Sequence, residues 1–206
     1  MSSYYFNLPS FGKYEDYTKN NINIYITEGT YVKNCTLVNT YNDIANLGKI
    51  FRVEKKAQSV IAALQQREKE TVEKVKGKEP IPCFIFDSNN NEKIFTAGGA
   101  GLENTLLPLA GGKNIFADTE RQFFATALEQ IIVKNPEVII VHEYNCTEKD
   151  GQEKINFLKS QKELAQVPAV KNNRFIIIPL AAVFPGVQNI HALEKLAKGL
   201  HPESFN

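Results

Sequence analysis

The sequence predicts a three-layer α/β domain of Rossmann-like type with a mostly parallel sheet, preceded by a long helical spine. Residues 83–86, 138–141 and 175–178 are short, wholly apolar runs, as expected for strands buried on both faces. Helical patterns separate these runs, and such alternation is typical of a parallel sheet covered by helices. These helices are predicted at residues 102–110, 125–135, 152–159 and 189–200.

A long helical pattern precedes the first apolar strand. Thr36 is a suitable N-cap, and apolar residues then recur at three- and four-residue spacing. A kink or short break is expected at Val53, and Gly77 ends the pattern. Because so long a helix is uncommon inside a compact domain, residues 36–78 are predicted to form a brace along or between lobes.

The first 35 residues form a smaller unit in this interpretation. Residues 14–20 are predicted to be helical, and residues 23–27 to form a β-rich segment without a neighbouring strand partner. The N-terminus lacks the basic and apolar regions of a secretory signal, and Cys35 is not in a lipoprotein cleavage context. No apolar run approaches the length that crosses a bilayer.

Composition excludes some classes of partner. The 206 residues carry 24 basic and 23 acidic side chains, a net charge of +1, so neither nucleic acid nor an anionic membrane is expected as a partner. The cysteines have no metal-type spacing, and His142, Cys146 and His191 are too scattered to indicate a metal site. Recognisable catalytic motifs are absent, so neither an enzyme nor a bound metal or cofactor is expected.

A glycine-rich stretch, residues 97–101, raises the alternative of a nucleotide-binding α/β enzyme. Asn104 stands where the dinucleotide fingerprint needs its third glycine, and the Gly-Lys-Ser/Thr of a phosphate loop is missing. Glu103 is expected in the first turn of the following helix, where a carboxylate would repel a phosphate. Both points count against this alternative.

Polar and aromatic side chains follow the predicted strands at one edge of the sheet. Residues 87–89, 142–144 and 181–188 each come after a strand, and open α/β sheets bind ligands outside the carboxyl ends of their strands. The aromatic residues expected near this edge are Phe95, Phe123, Phe124, Tyr144 and Phe184. An aromatic pocket with few charges suits a bulky, partly apolar ligand.

Several strings, taken in order, resemble one family. They are 41–51 (YNDIANLGKIF), 95–99 (FTAGG), 109–116 (LAGGKNIF), 135–141 (NPEVIIV), 167–175 (VPAVKNNRF) and 184–189 (FPGVQN). Together they are similar to the substrate-binding proteins of ABC importers for iron–siderophore complexes and cobalamin. In that family two α/β lobes are joined by one long helix, the ligand lies between them, and carboxylates on the lobes dock on the permease.

The resemblance implies three parts: a remnant of the N-lobe at 1–35, the interlobe spine helix at 36–78, and the C-terminal ligand-binding lobe at 79–206. Most of the N-lobe would then be missing. The family is extracytoplasmic and often lipid-anchored. Because this chain shows no signal peptide or lipobox, a fragment or a cytoplasmic protein is the alternative.

Site residues carried over from the family face the cleft. The ligand-binding positions implied are Phe95, Thr96, Phe123, Phe124, His142, Glu143, Tyr144, Phe184 and Gln188. Relatives often have arginine where Gln188 stands, so an anionic ligand group is less well matched. The docking carboxylate falls near Ala100, and Glu103, expected to be exposed, is the nearest substitute.

These observations predict a binding module that captures a ferric siderophore or similar chelate for an ABC permease. A non-binding remnant or interaction protein of the same family is the alternative. In either case the missing N-lobe is expected to weaken ligand binding and to leave an apolar stripe of the spine and an unpaired strand edge exposed. The N-terminal segment and the spine are therefore the expected contact of a homo-oligomer.

Overall fold

The predicted α/β architecture is confirmed by a computed structural model, which describes residues 11–90, 93–144 and 149–206. The main sheet has the strand order β4-β1-β6-β7, and all neighbouring strands are parallel. Its strands are β1 (Ile81–Phe86), β4 (Gly112–Asn114), β6 (Val138–Glu143) and β7 (Phe175–Pro179).

Helices cover both faces of this sheet. Successive residues of a strand point to opposite faces, so Cys83 and Ile85 join one apolar cluster while Phe84 and Phe86 join another. The first cluster includes α4 (Glu103–Leu109) and α8 (Asn189–Leu200); the second includes α5 (Leu128–Lys134), α6 (Lys149–Ser160) and α7 (Pro168–Lys171). The result is the predicted three-layer arrangement.

A small antiparallel sheet lies beside the main one and was not predicted. Its strand order is β2-β3-β5, with β2 at Ser88–Asn90, β3 at Lys93–Ala97 and β5 at Phe123–Thr126. The helix predicted to start at residue 125 is therefore wrong at its beginning, since α5 starts at Leu128. Pairing of β5 with the distant β3 decides the conformation there, and local sequence pattern does not report such pairing.

The spine is helical as predicted and consists of α2 (Leu37–Ile50) and α3 (Glu54–Val75). Thr36 caps the first helix, because its hydroxyl accepts a hydrogen bond from the Val38 amide at 3.3 Å. The break falls beside the predicted Val53, where Arg52 takes a left-handed φ of 56°. A β-carbon at Gly48 would lie 2.5 Å from Cβ of Ala57, so glycine permits the two helices to meet closely at the break.

Polar contacts attach the spine to the lobe. The Arg67 guanidinium donates two hydrogen bonds, of 2.7 and 2.6 Å, to the Glu194 carboxylate on α8. The Thr40 hydroxyl donates to Oδ1 of Asn189 at 3.1 Å, and both residues are buried. These contacts hold the spine along α8 as a brace.

The N-terminal segment lies against the spine and includes α1 (Tyr14–Lys19). The strand predicted at 23–27 is wrong: these residues form no strand and pair with none in the described part of the chain. A buried carboxylate holds the segment instead. Asp43 accepts hydrogen bonds from the Tyr25 hydroxyl at 2.6 Å and from the Glu28 amide at 2.7 Å.

Apolar side chains are exposed at the break of the spine, as predicted. Leu47, Ile50, Phe51 and Val53 lie there together, and Phe51 is 69% exposed. The predicted unpaired strand edge of the N-terminal segment is wrong, because no strand forms there. Among the described residues, no helix has the length and apolar character to cross a membrane.

Candidate functional site

A buried ionic triad lies at the carboxyl ends of the two central strands. Asp87 directly follows β1, His142 is the penultimate residue of β6, and Glu103 is the first residue of α4. Nδ1 of His142 lies 2.9 Å from the Asp87 carboxylate, and Nε2 lies 2.7 Å from the Glu103 carboxylate. The imidazole is 0% exposed, so the two carboxylates clamp it away from water.

The two carboxylates set the charge of the imidazole. Burial alone would lower the pKa of His142, but the charge of Glu103 and the hydrogen bonds to Asp87 and Glu103 outweigh it and raise the pKa to about 9. The pKa of Asp87 is lowered, because hydrogen bonds from His142 and Tyr144 outweigh the effect of its burial. His142 is therefore an imidazolium at neutral pH, and both ring nitrogens donate.

Tyr144 and Lys154 make further contacts with the triad. The Tyr144 hydroxyl donates to Asp87 at 2.7 Å, and the Tyr144 amide donates to Asp150 at 2.8 Å. The Lys154 ammonium donates to the carbonyl of His142 at 2.6 Å and lies 3.9 Å from the centre of the Tyr144 ring. These contacts hold the triad in place from inside the protein.

The expected exposure of Glu103 is wrong. Its side chain is buried, with the residue 6% exposed, and its carboxylate is bound to His142. A carboxylate at a helix start is exposed in many proteins, but here an imidazolium from the sheet provides a buried partner. The Glu103 carboxylate therefore already has a buried cationic partner.

The glycine-rich loop before α4 serves packing. The Gly98 and Gly99 amides donate to carbonyls of Gln122 and Thr119 at 3.0 and 2.8 Å. A β-carbon at either glycine would collide with backbone carbonyl oxygens of residues 117–121. These amides are already used, so the loop does not present the free donors of a phosphate cradle.

A cavity of about 630 Å³ opens at this edge of the sheet, between the lobe and the N-terminal segment. Its walls are formed by Thr27, Gly29, Thr30, Val32, Cys35, Ala100, Gly101, Leu102, Gln122, Phe123, Phe184 and Pro185. No lysine, arginine, aspartate or glutamate is among these lining residues. The surface offered to a ligand is thus apolar and aromatic, with a few neutral polar groups.

Two phenylalanines connect the cavity to the triad. The ring centres of Phe123 and Phe184 lie 6.5 Å apart, and the Phe123 ring meets the His142 ring edge-on at 6.3 Å. Phe123 therefore separates the buried imidazolium from the open space. Phe184 is 42% exposed and stands free to meet a ligand.

Asn189 holds the loop that carries Phe184. Its side-chain amide donates to the carbonyls of Ala182 and Phe184 at 2.8 and 2.7 Å, and its oxygen accepts from the Gly186 amide at 2.7 Å. A β-carbon at Gly29 would lie 2.5 Å from Cβ of Pro185, so glycine permits the N-terminal segment to approach this loop closely.

Of the residues singled out from sequence, Phe123 and Phe184 line the cavity. His142 is buried beside Phe123, and Glu143, the next residue of β6, is buried as well. Thr96 is buried in β3, and Phe124 packs edge-on against Phe116 at 5.3 Å. Phe95 is half-buried on β3, while Tyr144 and Gln188 are exposed outside the cavity lining. Cys146 lies outside the described residues.

The walls that sequence reasoning missed are loop residues next to predicted ones. Gln122 precedes Phe123, Pro185 follows Phe184, and residues 100–102 follow the glycines. The predicted residues next to them in the sequence could have indicated these positions. The contribution of residues 27–35 had no local signal, since it depends on a contact across the fold.

Comparison with known proteins gives the family. Residues 14–182 match the family model described as periplasmic binding protein. A vitamin B12-binding protein of Vibrio parahaemolyticus is 28% identical over 138 residues, which are 67% of this chain and 46% of that protein. Another, from Photorhabdus laumondii, is 24% identical and covers 57% of this chain and 40% of that protein. The chain thus spans less than half the length of these curated relatives.

Solved structures agree with this assignment. A periplasmic binding protein from Veillonella parvula is 28% identical, with a TM-score of 0.85 over 92% of this chain and 65% of that one. An ABC-type Fe³⁺-hydroxamate transport protein from Saccharomonospora viridis is 18% identical, with a TM-score of 0.78 over 94% of this chain and 67% of that one, and shows the fold. The resemblance seen in the sequence is confirmed: the chain belongs to the periplasmic binding protein family.

Proposed function

We propose that this chain is a substrate-binding component of an ABC importer and that it holds a bulky metal chelate, such as a ferric siderophore or a corrinoid. One observation carries the proposal: an aromatic cavity without charged lining lies at the carboxyl edge of the sheet in a member of a binding-protein family. The volume of about 630 Å³ is within the range usual for ligand pockets.

The cavity favours a ligand whose contacting face is uncharged. An anionic group buried there would lose hydration without meeting a lysine or arginine among the lining residues. Behind Phe123 the triad contributes two carboxylates against one imidazolium, which further disfavours an anion. Neutral hydroxamate chelates and corrinoids meet this condition better than anionic catecholates, and similar proteins are named for vitamin B12 and Fe³⁺-hydroxamate.

Binding, with no chemical step, is the proposed activity. The triad is sealed from the cavity, and Phe123 and Phe184 provide stacking surface. In this proposal residues 1–35 belong to the N-lobe, residues 36–78 form the interlobe spine, and residues 79–206 form the ligand-binding lobe. The family is periplasmic, and we place the action of this chain outside the cytoplasm, with an ABC permease as its partner.

A second candidate function is protein interaction without ligand capture. The exposed apolar group at the break of the spine, which includes Ile50 and Phe51, supports it, because a contiguous apolar surface promotes association. Self-association that Phe51→Asp abolishes, together with no chelate binding, would favour this candidate.

The proposed function is tested by calorimetric titration with a neutral ferric trihydroxamate, cyanocobalamin and an anionic ferric tricatecholate. We expect the trihydroxamate, cyanocobalamin or both to bind one-to-one. The catecholate should bind more weakly. Phe123→Ala and Phe184→Ala should each weaken binding by roughly tenfold, the usual effect of removing a buried aromatic contact.

Phe51→Ala is the matched control, since it removes an exposed aromatic ring that is not part of the cavity lining. The affinity of this variant for each chelate should equal that of the unmodified protein. Absence of binding by every chelate, or equal affinities in the Phe123 and Phe184 variants, would contradict the proposal.

A further inference from the structure

The free lateral edge of β7 lies at the bottom of a groove between two helices. β7 is the last strand in the order β4-β1-β6-β7, so one side of it pairs with no strand in the described part of the chain. The groove has a volume of about 540 Å³. Its walls are Gln152, Ile155 and Lys159 of α6, Lys195, Lys198 and Gly199 of α8, and Asn173, Phe175, Ile176 and Ile177 of the strand and its approach.

The backbone of β7 presents hydrogen-bonding groups to this groove. The Ile139 amide donates to the Arg174 carbonyl at 3.0 Å, and Ile139 lies opposite Phe175 in the parallel register. In a parallel pair the groups of alternate residues face the partner strand, so those of Phe175 and Ile177 point away from β6. Such an outward row of donors and acceptors is a template for another strand.

The rim of the groove is positively charged. Lys159, Lys195 and Lys198 are exposed, and none of them makes an ion pair within the described residues. No aspartate or glutamate lines the groove. The Lys159 ammonium lies 5.5 Å from the centre of the Phe175 ring, so one cation already leans over the strand.

We propose that this groove binds an extended acidic segment of a partner protein, which adds as a strand beside β7. The outward backbone groups of Phe175 and Ile177 would pair with the segment, and the three lysines would meet its carboxylates. A second copy of this chain is a poorer occupant, because two β7 edges would bring six lysines together. The opposing interpretation is that the lysines only protect the strand edge against association.

The test measures fluorescence anisotropy of a labelled, terminally blocked peptide in which glutamate and valine alternate, since valine favours the extended conformation. We expect saturable binding to the full chain. A peptide that alternates lysine and valine should not bind. The acidic peptide methylated at alternate backbone nitrogens should lose binding, because it keeps its charges but cannot pair as a strand.

Protein variants provide the second arm. Lys195→Glu with Lys198→Glu should weaken binding by roughly tenfold or more, because two of the three positive charges at the rim reverse. Lys55→Glu with Lys56→Glu changes the net charge equally on exposed positions of α3 and should leave binding unchanged. Backbone hydrogen exchange at Phe175 and Ile177 should slow when the acidic peptide binds.

Three outcomes would overturn the proposal. No binding of the acidic peptide would mean that the lysines only guard the edge. Equal binding of the methylated peptide would mean charge attraction without strand addition. Dimers that form through the β7 edge in the absence of peptide would make a second copy the occupant. None of these outcomes bears on the cavity, which lies at the carboxyl ends of the strands.

Discussion

Replacement of His142 by leucine is expected to lower the free energy of unfolding by about 3–5 kcal/mol, the usual cost of removing one partner from a buried ionic cluster. Leucine occupies similar space but leaves the Asp87 and Glu103 carboxylates buried, close together and without their shared cation. Urea-induced unfolding monitored by circular dichroism measures the change.

Tyr144→Phe is the matched control for this substitution. It removes one hydrogen bond to Asp87 at the exposed side of the cluster and should cost only about 0.5–1.5 kcal/mol. The combination of His142→Leu with Glu103→Gln should cost less than the sum of the single changes, since one of the stranded charges is then absent. If His142→Leu unfolds no more easily than Tyr144→Phe, the triad does not stabilise the fold as described.

Stability should fall as the pH rises from about 6.5 to 9. The pKa of His142 is about 9 in the folded protein against an ordinary value of 6.5, so folding favours the protonated form. Its contribution is therefore complete below pH 6.5 and is lost as the pH rises through 9, and a shift of this size corresponds to roughly 3 kcal/mol. Urea titrations at several pH values measure the decline.

The loss of stability at acidic pH has a different cause. The pKa of Asp87 is lowered in the folded protein, so its contribution is present above its ordinary value of 3.8 and is lost as the pH falls below that value. Burial also raises the pKa values of cysteines and tyrosines, whose ordinary values are 9.0 and 10.0. The stability that these groups contribute therefore begins to be lost only at about pH 9, the upper end of the range assigned to His142. His142→Leu should flatten the profile between pH 6.5 and 9; an unchanged slope in that variant would assign the decline to other groups.

The main sheet was predictable because its strands can be recognised from their own residues. A run such as Val138–Val141 is apolar at every position, as expected for a strand covered on both faces. The spine was predictable for a similar reason, since its apolar residues repeat at helical spacing and Thr36 is a local capping signal. In both cases the deciding interactions lie within the segment or depend on simple periodicity.

The failures have a common physical origin in contacts between distant parts of the chain. β5 forms because residues 123–126 pair with β3, and residues 23–27 stay outside any strand because Asp43 and the spine hold the segment. Glu103 is buried because His142 reaches it from 39 positions away. For the candidate site, Phe123 and Phe184 were predictable as aromatic residues near strand ends, whereas the opposite wall at residues 27–35 was not.

The position of the bound ligand decides whether the aromatic cavity is the binding site. Cyanocobalamin and the gallium form of a trihydroxamate chelate are diamagnetic, so backbone amide signals can be followed by nuclear magnetic resonance during a titration. We expect the largest shifts at cavity residues, including Gly101, Phe123 and Phe184, and little change at Phe175 and Ile177 in the β7 groove. Binding that shifts the groove residues and leaves the cavity residues unchanged would contradict this expectation.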